Sequence, residues 1–185
     1  MCSSDLKAAD KDLPLLRDLL DIASAWNWET EVDELLWQIV NGWPKDQPAF
    51  VTLHTRLAKA GNTSGLRTLY ARASQATPEN LALKNNLAMT SLLLDARDKV
   101  GHQLARELYA ADPTNPIVVS TYAFSLHLQK QPAEALAAFA KLKPEQLIEP
   151  NVAAYYGLVL VANGRAAEAG KFLQAARQAK LLPEE

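Results

Sequence analysis

The feature that most narrows what this chain can fold into is a period. From residue 13 it divides into the stretches 13–46, 47–80, 81–115, 116–149 and 150–183, four of 34 residues and a third of 35. Each reads as two amphipathic helices joined by a short polar turn. The turns are Trp26-Asn27-Trp28, Gly61-Asn62, Asp95-Ala96-Arg97-Asp98, Gln129-Lys130-Gln131 and Asn163-Gly164, and the extra residue of the third stretch falls in its turn. A period of this length marks stacked supersecondary units. One helical hairpin cannot bury its own apolar stripe, so neighbours must cover it, and about three are needed for a stable core.

Local punctuation agrees with ten helices. Asn115-Pro116 offers an N-cap followed by proline at the first helical position, where the missing N–H costs nothing. Gly61 and Gly164 stand where first helices should end in a left-handed cap. Pro132 and Pro144 bracket a shortened second helix in the fourth stretch, with an irregular link expected over 143–149. Alanine and leucine dominate, and aromatics make up only 7% of the chain, a mixture that favours helix over strand.

Position by position, the stretches resemble the tetratricopeptide repeat (TPR) family, whose unit is 34 residues long. The seventh place holds Leu19, Leu53, Leu87, Tyr122 and Tyr156, and the eighth Leu20, His54, Ala88, Ala123 and Gly157. The twentieth holds Val32, Leu66, Gly101, Ala135 and Ala169, and the twenty-fourth Leu36, Tyr70, Ala105, Phe139 and Leu173. Proline closes the first three units at Pro44, Pro78 and Pro113. The resemblance implies an all-α, right-handed superhelical solenoid of about five helix-turn-helix repeats. It also implies a non-catalytic protein–protein interaction scaffold that takes a peptide or a helix in its concave groove. In the family, places two, five, nine and twelve of the first helices face that groove. Here they make a candidate binding surface of Asn85, Met89, Leu92, Ser120, Phe124, His127, Asn151, Ala154 and Leu158. The family's Lys, Asn and Arg clamp for a peptide carboxylate is not reproduced, since place five reads Arg17, Val51, Asn85, Ser120 and Ala154.

Residues 13–183 are expected to form one repeat domain, preceded by a disordered or artefactual tail over 1–12. The first six residues resemble the translation of a sequencing adapter, so the chain reads as a fragment of a longer bacterial protein. An alternative function follows from that: a repeat segment of a larger multidomain enzyme or regulator whose active site lies elsewhere. An array cut short would leave Phe172, Leu173, Leu181 and Leu182 partly uncovered and open to self-association.

Chemistry is not written into the repeats. His54, His102 and His127 stand in three different units, none at a metal-ligand spacing, and no serine or cysteine is paired with a histidine in sequence. The seven glycines form no phosphate-cradling loop. No catalytic residue, metal or cofactor is therefore expected. The acids Glu29, Glu31, Asp33 and Glu34 load a helix start, where the macrodipole favours them. A net charge of −2 with interspersed signs lacks the basic footprint of a nucleic-acid binder. No apolar run approaches the ~18 residues of a membrane span, so a soluble protein of the bacterial cytoplasm or periplasm is expected. Cys2, the only cysteine, cannot form an internal disulfide. Four tryptophans crowd the first unit. Trp37 and Trp43 are expected to pack against the second, with Trp26 and Trp28 covering the hairpin end.

This register is checked at Ala135, which should lie buried where two helices cross. Ala135→Leu should overpack that crossing and lower stability by about 1–3 kcal/mol in a denaturant melt. An unchanged midpoint would mean that the helix faces water.

Overall fold

The computed structural model describes residues 12–185. Cys2 and residues 1–11 of the expected tail lie outside the described residues, whereas Asp12 belongs to the fold as a helix cap. The helices are α1 (Leu13–Ala25), α2 (Glu29–Gly42), α3 (Gln47–Lys59), α4 (Thr63–Ala76), α5 (Leu81–Leu94) and α6 (Lys99–Ala111). They continue with α7 (Pro116–Leu128), α8 (Pro132–Phe139), α9 (Pro144–Leu147), α10 (Pro150–Ala162) and α11 (Ala166–Ala176). No strand occurs among the described residues. Ten of these helices are the expected five hairpins. The eleventh, α9, is a single turn inside the link at 143–149, started by Pro144 and held by Gln146, whose side-chain Oε1 accepts the Lys143 N–H at 2.9 Å.

The period reappears in the helix ends. Asp12, Asp46, Asn80 and Asn115 each accept backbone N–H groups of the first turn of α1, α3, α5 and α7, which satisfies donors the helix itself leaves open. At the other ends, Asn27, Gly61, Lys130 and Gly164 all take positive φ, between 56° and 73°. In every case the following N–H reaches five residues back: Trp28 to Ala23, Asn62 to Leu57, Gln131 to Leu126 and Arg165 to Leu160, at 2.9–3.0 Å. This is the Schellman closure, and it turns the chain sharply enough for the second helix to return along the first. The 95–98 turn, one residue longer, closes differently. There the Asp95 carboxylate accepts the Arg97 N–H, and Asp98 caps α6 through Gly101.

The chain divides into two compact units at Glu79/Asn80. In the first, α2 packs against α1, α3 and α4. Leu16, Leu36, Ile39, Leu53 and Leu69 are fully enclosed there, each worth about 2 kcal/mol of burial. Arg56 on α3 reaches back to α2, to Asp33 at 2.5 Å and Glu29 at 2.8 Å. In the second unit α6 packs on α5 and α7, α8 on α7 and α10, and α10 on α11, while α7 also contacts both α5 and α10. First helices thus touch first helices, and second helices fill the outer gaps. Ala88, Ala105, Ala123, Ala135 and Ala169 are inaccessible at these crossings, as the register requires. Gly157 is needed for the same reason: a Cβ there would stand 2.7 Å from Leu173 Cδ2.

Leu173 is partly uncovered, as expected of the last helix. It covers Gly157 yet remains 43% exposed, because no described helix packs on the far side of α11. Phe172 goes the other way and is buried, edge-on to Tyr156 at 4.6 Å with the Lys171 ammonium over its ring. Trp37 and Trp43 are half-buried, whereas Trp26 is 65% exposed, with Trp28 edge-on to it at 5.0 Å.

Lys130 is the costly member of the four left-handed caps, since only glycine and, to a degree, asparagine take that conformation freely. Lys130→Gly should raise stability by about 1 kcal/mol, and Gly164→Ala should lower it by a similar amount. Urea denaturation of both variants measures this directly.

Candidate functional site

The inner row of the second unit is built by α5, α7 and α10. Its geometry is set by one side chain that sequence reasoning passed over, Tyr155. From α10 its ring lies edge-on against Phe124 of α7, centroids 5.4 Å apart and planes at 61°. Its hydroxyl extends to Met89 Sδ of α5 at 3.5 Å. One tyrosine thereby spans the three first helices and draws Met89 and Phe124 into a single apolar floor, which rests on the core made by Val119, Ala123, Val152 and Val159. Sequence did carry a hint, because Tyr155 sits one residue beside a groove-facing place. A long side chain there can lean into the groove.

The other expected groove residues divide. Ala154 packs against the same core, and Leu158 is half-buried on the same helix. Asn151 is exposed near the start of α10, and His127 is half-buried near the end of α7. Ser120 is buried, its hydroxyl donating to the Pro116 carbonyl of its own helix at 2.8 Å. Asn85 lies one helical turn before Met89 and is only 3% exposed, and its side-chain carbonyl oxygen has no hydrogen-bond partner among the described residues. Leu92 must be corrected. It is 1% exposed and packs with Ala88 and Ala105 inside the α5–α6 hairpin, 3.0 Å from where a Gly101 Cβ would be. The twelfth place of α5 is taken up by the contact with α6.

The segment after α11 reaches this floor. Three tight turns carry the chain round at 177–179. Farther on, a turn at 182–185 closes with the Glu185 N–H donating to the Leu182 carbonyl at 3.0 Å. Within it the Leu182 N–H donates to Glu185 Oε2 at 2.6 Å, and the Tyr155 hydroxyl donates to Glu185 Oε1. Burial pushes the Glu185 carboxyl above its ordinary range, and the Leu182 N–H partly opposes that shift.

Away from the groove the structure brings together a pair that sequence spacing could not show. His102 of α6 and Ser125 of α7 meet, Nδ1 to Oγ, at 2.8 Å, and His102 Nε2 lies 3.1 Å from the Ala96 carbonyl. A carbonyl only accepts, so Nε2 carries the proton and Nδ1 accepts from Ser125. The polarity is that of a base beside a nucleophile. Ser125 is nevertheless buried, and a backbone carbonyl, not a carboxylate, orients the ring. The pair therefore ties α6, α7 and the 95–98 turn together. The neighbouring cleft of about 560 Å³ is lined by His102, Lys99, Arg106 and Glu134, and a larger one of about 690 Å³ by Tyr156, Phe172 and α9. No group of three His, Cys, Asp or Glu placed to hold a metal occurs among the described residues, and none of their helices is long and apolar enough to cross a membrane.

Compared by sequence, the chain matches no family model and no curated protein. Compared by fold, it is similar to two solved structures. MamA AMB-1 aligns over 88% of this chain and 96% of its own, with a TM-score of 0.52 and 20% identity. MamA MSR-1 aligns over 88% and 93%, with a TM-score of 0.51 and 19% identity. MamA is a TPR protein. The fold is the tetratricopeptide fold. The all-α class and the helix-turn-helix repeats read from the sequence hold, and at this identity the likeness extends to the fold alone.

Two histidines of the TPR fold carry a pH signature. Burial lowers His54, stacked between Phe50 and Tyr70, below its ordinary 6.5. Burial first, and then the Lys130 charge, lowers His127 as well. Both rings take protons more readily in the unfolded chain. Stability should therefore be complete above about pH 7 and should fall as pH drops through 6.5. Urea midpoints between pH 7.5 and 5.5 should show this slope, and a His54→Gln/His127→Gln variant should flatten it.

Proposed function

We propose that this protein is a non-catalytic interaction scaffold, and that it takes a peptide or a single amphipathic helix along the α5–α7–α10 row. The observation that carries this is the Met89–Tyr155–Phe124 floor. It is apolar and built by three first helices, with Asn85 one helical turn before Met89 and with His127 and Asn151 elsewhere on α7 and α10 as the few polar groups of the row. An apolar groove with sparse polar groups suits an extended segment or one helical face, because area supplies affinity and the polar groups supply register. The unpaired Asn85 oxygen favours a donor such as a backbone N–H. Methionine adapts to varied side chains and keeps selectivity broad. The shared fold with MamA, itself of the tetratricopeptide scaffold type, supports a protein-binding role.

Phe124 is the natural anchor, since its ring is held from one side by Tyr155 and from the other by the Ala88–Leu92 core. Peptides selected on the full chain from a random display library give ligands for titration. Phe124→Ala should weaken them roughly thirtyfold, the loss of one aromatic anchor, with a thermal melt run alongside to separate binding from folding. A folded variant that keeps full affinity would move the site away from this row, toward the exposed Trp26 and Trp28.

A further inference from the structure

The segment 177–185 follows the last helix of the second unit and reaches the groove. By area its residues are exposed except for Ala179 and Leu182, which are half-buried, although the Glu185 carboxyl itself is drawn in against Tyr155. Irregular, solvated backbone of this kind opens at low free energy compared with a packed helix. Its anchor is chemically specific all the same. The 182–185 turn fixes the Glu185 side chain by one carboxylate oxygen on the Leu182 N–H and presents the other to the Tyr155 hydroxyl. That hydroxyl belongs to the residue that assembles the floor, beside Met89 and above Phe124. A hydrogen bond to a charged acceptor is stronger than a neutral one, and partial burial sharpens the difference.

We propose that residues 177–185 are a built-in occupant of the groove, a strap that an incoming peptide must displace from Tyr155. The inference rests on the groove reading above and adds its regulation. A tethered ligand competes at an effective concentration on the order of millimolar, so a free partner binds only the open fraction of molecules and its apparent affinity falls in proportion. The strap also states the chemistry that displaces it best: an apolar residue followed three positions later by a carboxylate, closed in a turn, as Leu182-Pro183-Glu184-Glu185 is. Among the described residues the groove meets that carboxylate with a phenol and not with the basic side chains of a Lys and Arg clamp.

The test uses the full chain and a fluorescent peptide of sequence 177–185, blocked at both ends so that the side-chain carboxylates are its only acids. Leu182→Ser/Glu185→Ala in the full chain disables the strap without touching a helix. That variant should bind the peptide about tenfold or more tightly than the wild type does. On the disabled background, Tyr155→Phe keeps the ring against Phe124 and removes the donor, and should weaken the peptide about tenfold. A peptide with glutamine in place of its last glutamate should lose as much on the unaltered groove, which answers any effect of Tyr155→Phe on folding. Equal binding by wild type and disabled chain would overturn the strap while leaving the groove intact. Absence of binding to both would overturn the strap as well, and the groove would still be judged by Phe124→Ala against the selected peptides. Indifference to both the tyrosine and the glutamate substitutions would remove the carboxylate contact from the proposal.

Discussion

A hairpin of two amphipathic helices has one apolar stripe more than it can bury by itself, and the architecture of this protein answers that deficit. The first helix must be covered along its flank by the next first helix, and the second must wedge behind. For the backbones to come that close, the crossing positions have to be small. Ala88, Ala105, Ala123, Ala135, Gly157 and Ala169 occupy those crossings. Large residues then close what remains: Phe139 against Tyr156, Tyr156 against Phe172, and Tyr109 stacked on Tyr122 with the Lys141 ammonium over the former ring.

The helix termini follow from the same demand. Hairpins can stack only if each one turns back sharply, and a turn of three residues requires one residue in the left-handed region. Two of the four such positions are glycine, one is asparagine and one is Lys130. The last is a strained choice held by the backbone closure of the turn, in which the Gln131 N–H reaches the Leu126 carbonyl. Where the sequence adds a residue, at 95–98, aspartates take over the role of the left-handed cap. In that longer turn the Ala96 carbonyl becomes the partner of His102, which joins the irregularity to the His102–Ser125 contact.

Function, on the reading proposed here, depends on surfaces left over after that packing. First helices meet along one row, so their remaining faces form a strip lined by whatever side chains stand beside the contact line. Met89, Phe124 and Tyr155 make this strip apolar in the second unit. The strip is also within reach of the segment after α11, and the chain's own carboxylate is the group the structure places there.

The sequence by itself determined the repeat: its period, its five turns, its buried small residues and the cap at Asn115. These are local matters of helix propensity, capping and spacing, and a 34-residue period writes each of them several times. It assigned Leu92 to the groove, whereas Leu92 is enclosed with Ala88 and Ala105, because a place number does not say which neighbouring helix covers it. It could not show Tyr155 bridging three helices, His102 meeting Ser125, or Glu185 resting on the groove. Those contacts join residues 23 to 66 positions apart. No local pattern encodes them, since they arise from which side chains stacking happens to bring within a few ångströms of one another, and that was decided only in the tertiary structure.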